Sequence, residues 1–234
     1  MINSELIQNI IVYAITYIPP LIVFIIFWER MKRNRLLLFI ISIAYLVISV
    51  FTQNILPFIL VIFDIIYLKR EKRDYERYNF NIKRFNLFKG FRYAIFSYVI
   101  TLTISIITIG ILTKYSVPVK QQDVVSWMAD MPLYRFLLTV PVAVIFAPVL
   151  EEFVFRWILF KNVFGRMGIK TGAVLSSLIF AAVHYNLSAF PMILWIGLYN
   201  CYLFEKKGYW YSVFNHMLFN SVTVGVLLMQ KINM

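Results

Sequence analysis

The chain has 234 residues, of which 61% are hydrophobic and 18% aromatic, with a mean hydropathy of +0.76, values that exclude an ordinary soluble domain. Its formal net charge of +12 comes from 23 Lys and Arg against 11 Asp and Glu. The basic residues fall in short segments between apolar runs, which argues for membrane loops and against a nucleic-acid partner.

A first apolar span is expected from about Gln8 to Trp28, long enough at about 1.5 Å per residue to cross a hydrocarbon core of roughly 30 Å. No basic region precedes it, so a retained helix kinked at Pro19 and Pro20 is expected rather than a cleaved leader. After Arg30, Lys32, Arg33 and Arg35, two spans at Leu36–Phe51 and Ile55–Leu68 are separated only by Thr52, Gln53 and Asn54, the pattern of a tight hairpin. Asp64 in the third span is an intramembrane carboxylate, read first as a hydrogen-bonded structural residue.

Between Lys69 and Arg92, basic residues alternate with Tyr75, Tyr78, Phe80, Phe85, Phe88 and Phe91. That composition suits an amphipathic segment on an anionic leaflet, with a solvated connector as the alternative. A fourth span at Tyr93–Leu112 leads into a polar loop from Thr113 to Met131. Four further spans follow at Leu133–Phe160, Thr171–Tyr185, Phe190–Phe204 and Tyr209–Met229. The expected fold is all-α, a polytopic integral membrane bundle of about eight transmembrane helices. It forms a single membrane domain with an N-terminal part at 1–132 and a helical core at 133–229. Assigning the loops alternately places 18 Lys and Arg on one side and 4 on the other, with Arg156 left inside the membrane. The positive-inside rule then puts both termini outside and the basic loops in the cytoplasm.

The fifth span carries Glu151 and Glu152 near its end, followed by Arg156. An ionised side chain at the centre of a bilayer costs roughly 2.5–3.5 kcal/mol on insertion scales, so such residues mark function. Glu152 and Arg156 are four apart and can pair on one helix face, while Glu151 points about 100° away and stays available. The chain's two histidines, His184 and His216, both fall in later spans, and Asn220 shares a helix face with His216. Measured from the cytoplasmic helix ends, Glu151 lies roughly 15 Å deep, His184 roughly 20 Å and His216 roughly 12 Å, so all can reach one polar cavity.

A carboxylate in an apolar cavity is a suitable general base for water, an imidazole can share that water, and a second imidazole with an amide can donate to an oxyanion. This describes amide hydrolysis. No GxSxG, HExxH, P-loop or GxGxxG pattern is present, so serine hydrolase, zincin and nucleotide-driven readings lack support and no nucleotide is expected. The lone Cys201 is read as a small buried core residue.

Glu151-Glu152-x-x-x-Arg156, Phe180-x-x-x-His184 and His216-x-x-x-Asn220, in this order on consecutive late helices, resemble the three motifs of the CPBP family of CAAX proteases and bacteriocin-processing proteins. That family, also called Abi, includes the prenyl-protein endopeptidase of the Rce1 type. The resemblance covers roughly Leu133 to Met229. It implies an intramembrane endopeptidase in which Glu151 activates water with His184, Glu152 is the companion carboxylate held by Arg156, and His216 with Asn220 forms an oxyanion site. It also leaves the cofactor open. Glu151, His184 and His216 could ligate zinc with an open fourth position, while a metal-free glutamate mechanism is favoured and no cofactor is the leading expectation. The implied partners are the lipid bilayer and a peptide or membrane-associated protein substrate. The small size and the Lys-, Ile- and Asn-rich composition suggest a bacterial plasma membrane, and compact bacterial members of the family give the alternative function, a non-catalytic bacteriocin self-immunity or regulatory protein.

Overall fold

The computed structural model describes residues 4–233. The two chain ends, on which the expected orientation of the termini falls, lie outside the described residues. The architecture is all-α, with no strand among the described residues. The N-terminal rod consists of α1 (Ser4–Thr16) and α2 (Ile18–Arg30), broken at Tyr17, directly before the two prolines of α2. Pro19 and Pro20 have no N–H to continue the ladder, which is why the expected kink falls there.

Helices α3 (Arg35–Thr52) and α4 (Ile55–Glu71) form the expected hairpin. Asn34 caps α3 by accepting from the backbone N–H groups of Leu36 and Leu37. Short α5 (Arg73–Arg77) and a 3₁₀ turn at Ile82–Arg84 lead to α6 (Leu87–Lys114), and α7 (Asp123–Asp130) precedes the core. The core opens with a continuous rod from Leu133 to Met167. Within it α8 (Leu133–Pro141) passes into π-helix at Val142–Phe146, then α9 (Ala147–Glu152), a second π stretch at Phe153–Val163 and a final 3₁₀ turn. Three helices complete the bundle, α10 (Ile169–Ala182), α11 (Phe190–Lys206) and α12 (Tyr209–Ile232).

Five of these rods are long and apolar enough to cross a membrane, namely Ser4–Arg30, Arg35–Thr52, Leu87–Lys114, Leu133–Met167 and Tyr209–Ile232. The expected third, sixth and seventh spans are also helices, but at 17, 14 and 17 residues they are shorter. Large apolar side chains stand exposed along α1, α3 and α6, the surface a bilayer covers.

Two expectations are corrected. The Lys69–Arg92 stretch is not one amphipathic surface segment. Tyr78 and Phe80 turn inward, Phe80 stacks on Tyr209 with ring centroids 4.6 Å apart, and Phe85 packs edge-on against Tyr211 at 4.9 Å. The aromatic residues find a protein core rather than lipid because α11 and α12 present their own aromatic faces to them. The loop at 113–131 is not wholly irregular either, since α7 docks Met128 beside Phe136, Val224 and Leu227, and Lys231 donates to the Ala129 and Met131 carbonyls.

The principal core lies around the π-helical stretch of the Leu133–Met167 rod, where Phe153, Phe155 and Phe160 meet Phe180, Phe204 and Tyr209. Helices α10 and α11 cross closely because Gly197 has no side chain, and a Cβ there would lie 2.9 Å from Ser177 Cβ. The α11–α12 turn needs Gly208 at φ +106, and Tyr209 N–H then donates to the Tyr78 carbonyl at 2.9 Å. That bond ties the basic connector to the C-terminal helices.

Candidate active site

The rod from Leu133 to Met167 widens on both sides of the glutamate pair. Pro141 and Pro148 remove backbone donors ahead of it, so the i→i−4 ladder cannot run unbroken, and the backbone adopts π geometry on either side of α9. One glutamate is left facing the interior and the other facing a partly open space.

Glu152 is fully buried, at 0% exposure. Its Oε2 accepts from Arg156 Nε at 3.0 Å, and its Oε1 accepts from Arg156 Nη2 at 3.5 Å, from Asn200 Nδ2 at 2.9 Å and from His216 Nδ1 at 3.0 Å. Donors on three helical rods therefore converge on one carboxylate. Arg156 is itself fixed. Its guanidinium lies 4.7 Å above the Phe180 ring centroid, and Nη1 reaches Ser176 Oγ at 3.5 Å and the buried Cys201 sulfur at 3.9 Å. A buried charge is tolerable only when paired and hydrogen-bonded in this way.

Glu151 is different. Its side chain keeps 21% exposure, and its Oε2 lies 3.7 Å from His216 Nε2. His216 thus spans the two glutamates, with Nδ1 toward Glu152 and Nε2 toward Glu151. The Glu152 carboxylate is already held by a guanidinium, so the Nδ1 contact requires the proton on Nδ1. The Nε2 lone pair would then oppose a carboxylate oxygen, and a second proton on Nε2 turns that opposition into attraction.

His184 Nδ1 lies 2.7 Å from the Phe180 carbonyl, an acceptor, which places the proton on Nδ1 and leaves Nε2 able to accept. Both imidazoles meet the Phe180 ring edge-on, with centroids at 5.0 and 5.7 Å, so they flank the same side chain. Asn220 donates to the Ala143 carbonyl at 2.8 Å, a carbonyl within the first π stretch. His216 turns its ring nitrogens to the glutamates and not to Asn220, which keeps one amide hydrogen unassigned.

Sequence reading missed two residues of this cluster. Asn200 donates to Glu152, and Asn215 Nδ2 donates to Asn200 Oδ1 at 2.7 Å, both amides being buried. Asn215 immediately precedes His216, and a buried amide beside a motif histidine was the available signal. As for a metal, no group of three or more His, Cys, Asp and Glu side chains gathers as a ligand set among the described residues. The candidate donors Glu151, His184 and His216 do not gather as such a set, and His216 Nδ1 is taken by Glu152 at 3.0 Å. No step below is routed through a metal.

Comparison with known proteins bears on this stretch. Residues 133–222 match the family model described as type II CAAX prenyl endopeptidase Rce1-like. Over this stretch the chain is similar to the Rce1-like family. The matched region begins with α8, ends within α12, and contains Glu151, Glu152, Arg156, His184, Asn200, Asn215, His216 and Asn220. No curated protein and no solved structure matches the chain. The family description names a CAAX endopeptidase, and among the described residues five helices are long and apolar enough to cross a membrane.

Proposed function

We propose that the chain is an intramembrane endopeptidase in which Glu151 is the general base. The supporting observation is the asymmetry of the glutamate pair. Glu152 has its oxygens occupied by Arg156, Asn200 and His216, while Glu151 is partly open and faces a single imidazole nitrogen. Glu151 takes a proton from water as the water oxygen attacks the peptide carbonyl carbon, and passes that proton to the leaving amine as the C–N bond breaks. His184 Nε2 accepts from the same water and holds its lone pair on line. His216, carrying protons on both nitrogens, and the unassigned Asn220 amide hydrogen donate to the oxyanion. Arg156 and Asn200 are positioning residues that act through Glu152.

The substrate proposed is a peptide or membrane-associated protein with its scissile bond near the basic face of the bundle. That face is assigned to the cytoplasm of a bacterial plasma membrane, with both termini outside, on the distribution of Lys and Arg. The test is Glu151→Gln, nearly isosteric and without the base. Purified wild type should cleave a CAAX-type peptide that the variant leaves intact, at equal expression and unfolding temperature. Cleavage by the variant at the wild-type rate would overturn the reading.

A further inference from the structure

A second cavity lies apart from the two glutamates, with none of the glutamate-site residues in its lining. A polar cavity of about 270 Å³ opens between the start of α6 and the α11–α12 turn, lined by Arg84, Lys89, Arg92, Lys206 and Lys207 with Asn79, Tyr93 and Tyr211. Five cations share this space. Among the described residues none of them lies within ion-pair distance of a carboxylate, although cations elsewhere are paired, as Arg30 is with Glu71 and Arg156 with Glu152. The acidic side chain adjoining them in sequence, Glu205, is taken by Lys161 at 2.6 Å. Arg84, Lys89, Arg92 and Lys206 are exposed, and Lys207 Nζ lies 5.4 Å from the Tyr93 ring centroid.

Two further observations describe the cavity. Asn79 lines the cavity, its Nδ2 donates to the Lys207 carbonyl at 3.5 Å, and its Oδ1 is buried and accepts no hydrogen bond. The cavity also continues, through the shared Arg92 and Tyr93, into an apolar groove lined by Phe96, Trp195, Leu198, Tyr199 and Tyr202. That groove runs along α6 and α11 toward the middle of the bundle. Helix α6 has 28 residues, about 42 Å at the usual rise, so its first turns with Lys89 and Arg92 stand at headgroup level.

We propose that this is a binding site for one anionic glycerophospholipid of the phosphatidylglycerol type. Its phosphate sits among Arg84, Lys89, Arg92, Lys206 and Lys207, and an acyl chain lies against Phe96, Leu198, Tyr199 and Tyr202. The charge-assisted contacts give preference for an anion over a zwitterion, and the groove gives preference for a lipid over a free phosphate ester. Since Gly208 and Tyr209 tie the same turn to Tyr78, lipid bound here braces the connector against the C-terminal helices.

The experiment uses the full chain in mild detergent, titrated with phosphatidylglycerol, phosphatidylcholine or glycerol 3-phosphate, and read by native mass spectrometry and by the unfolding temperature. Phosphatidylglycerol should bind at least tenfold more tightly than phosphatidylcholine and raise the unfolding temperature. A variant combining Arg84→Gln, Lys206→Gln and Lys207→Gln should lose that preference. A control combining Arg33→Gln, Lys69→Gln and Arg70→Gln, at a different basic edge, should keep it. Short-chain phosphatidylglycerol should bind more weakly than long-chain. Equal binding of the two lipids, equal loss in the control, or a full thermal shift from glycerol 3-phosphate alone would each overturn the proposal. Glu151→Gln should bind lipid as wild type does, so failure of the proposed catalysis and failure of this site are read separately.

Discussion

At the scale of single residues, the site turns on keeping two adjacent glutamates in different states. Glu152 is held by Arg156 through two nitrogens, and a lysine in its place retains the charge but not the fork. Arg156→Lys should therefore lose about tenfold or more in turnover with the unfolding temperature little changed, while Arg156→Ala leaves a buried carboxylate short of its partner and should destabilise by about 3–5 kcal/mol. Asn200→Asp tests the missed residue, because it sets a second carboxylate against Glu152 where an amide donor stood at 2.9 Å. It should lose activity more severely than Asn200→Ala, and equal losses would show that only volume matters there. The metal question belongs at this scale too. If Glu151 and His184 activate water directly, dialysis against a strong chelator leaves cleavage unchanged. His216→Ala then costs about 10²–10³ in turnover, the usual loss of an oxyanion donor. Elemental analysis showing stoichiometric zinc, with zinc restoring a chelated preparation, would reverse this assignment.

At the scale of helices, close approach and burial set the stability. Gly197→Val puts a Cβ 2.9 Å from Ser177 at the α10–α11 crossing, where the facing atoms belong to short, fixed side chains, and should cost about 1–3 kcal/mol of overpacking. Asp64 gives the opposite expectation. It is 1% exposed on α4, and neither carboxylate oxygen has a hydrogen-bond partner among the described residues, contrary to the hydrogen-bonded role expected from sequence. It borders an apolar cavity of about 490 Å³ between α2, α3 and α4, so Asp64→Leu should raise the unfolding temperature by removing a buried unpaired group. These two positions show where sequence reading works and where it stops. Helix existence was legible from uninterrupted apolar runs and from prolines, and the Glu152–Arg156 contact from their four-residue spacing. Which carbonyl Asn220 binds, how His216 divides its two nitrogens, and the inward turn of Tyr78 and Phe80 all depend on contacts between segments distant in sequence. The π widening around α9 was equally hidden, since Pro141 and Pro148 signal a disturbed ladder but not the way the backbone repairs it.

For the whole molecule, the two jobs proposed for the basic edge, orienting the bundle and binding its surroundings, can be separated by experiment. Four basic segments, beginning at the ends of α2, α4, the Leu133–Met167 rod and α11, carry 18 of the 23 Lys and Arg, and they belong to one side if successive long helices alternate in direction. The alternation depends on α4, α10 and α11 also crossing, although at 17, 14 and 17 residues they are the shorter helices. If α10 failed to cross, the Lys161–Lys170 and Lys206–Lys207 segments would lie on opposite sides. The ion pair of Lys161 with Glu205 at 2.6 Å speaks against that, because it joins the end of the π stretch to the end of α11 on one level. Single cysteines in a Cys201→Ser background give the test. Phe88 and Met167 are exposed at the basic edge, and Lys120 lies in the connector on the opposite side. An impermeant reagent applied to intact cells should label position 120 and spare positions 88 and 167 until the membrane is opened. Labelling of 88 with 167 protected would mean that α6 or the Leu133–Met167 rod fails to cross, and labelling of both with 120 protected would place the basic cavity and the glutamate site toward the outside.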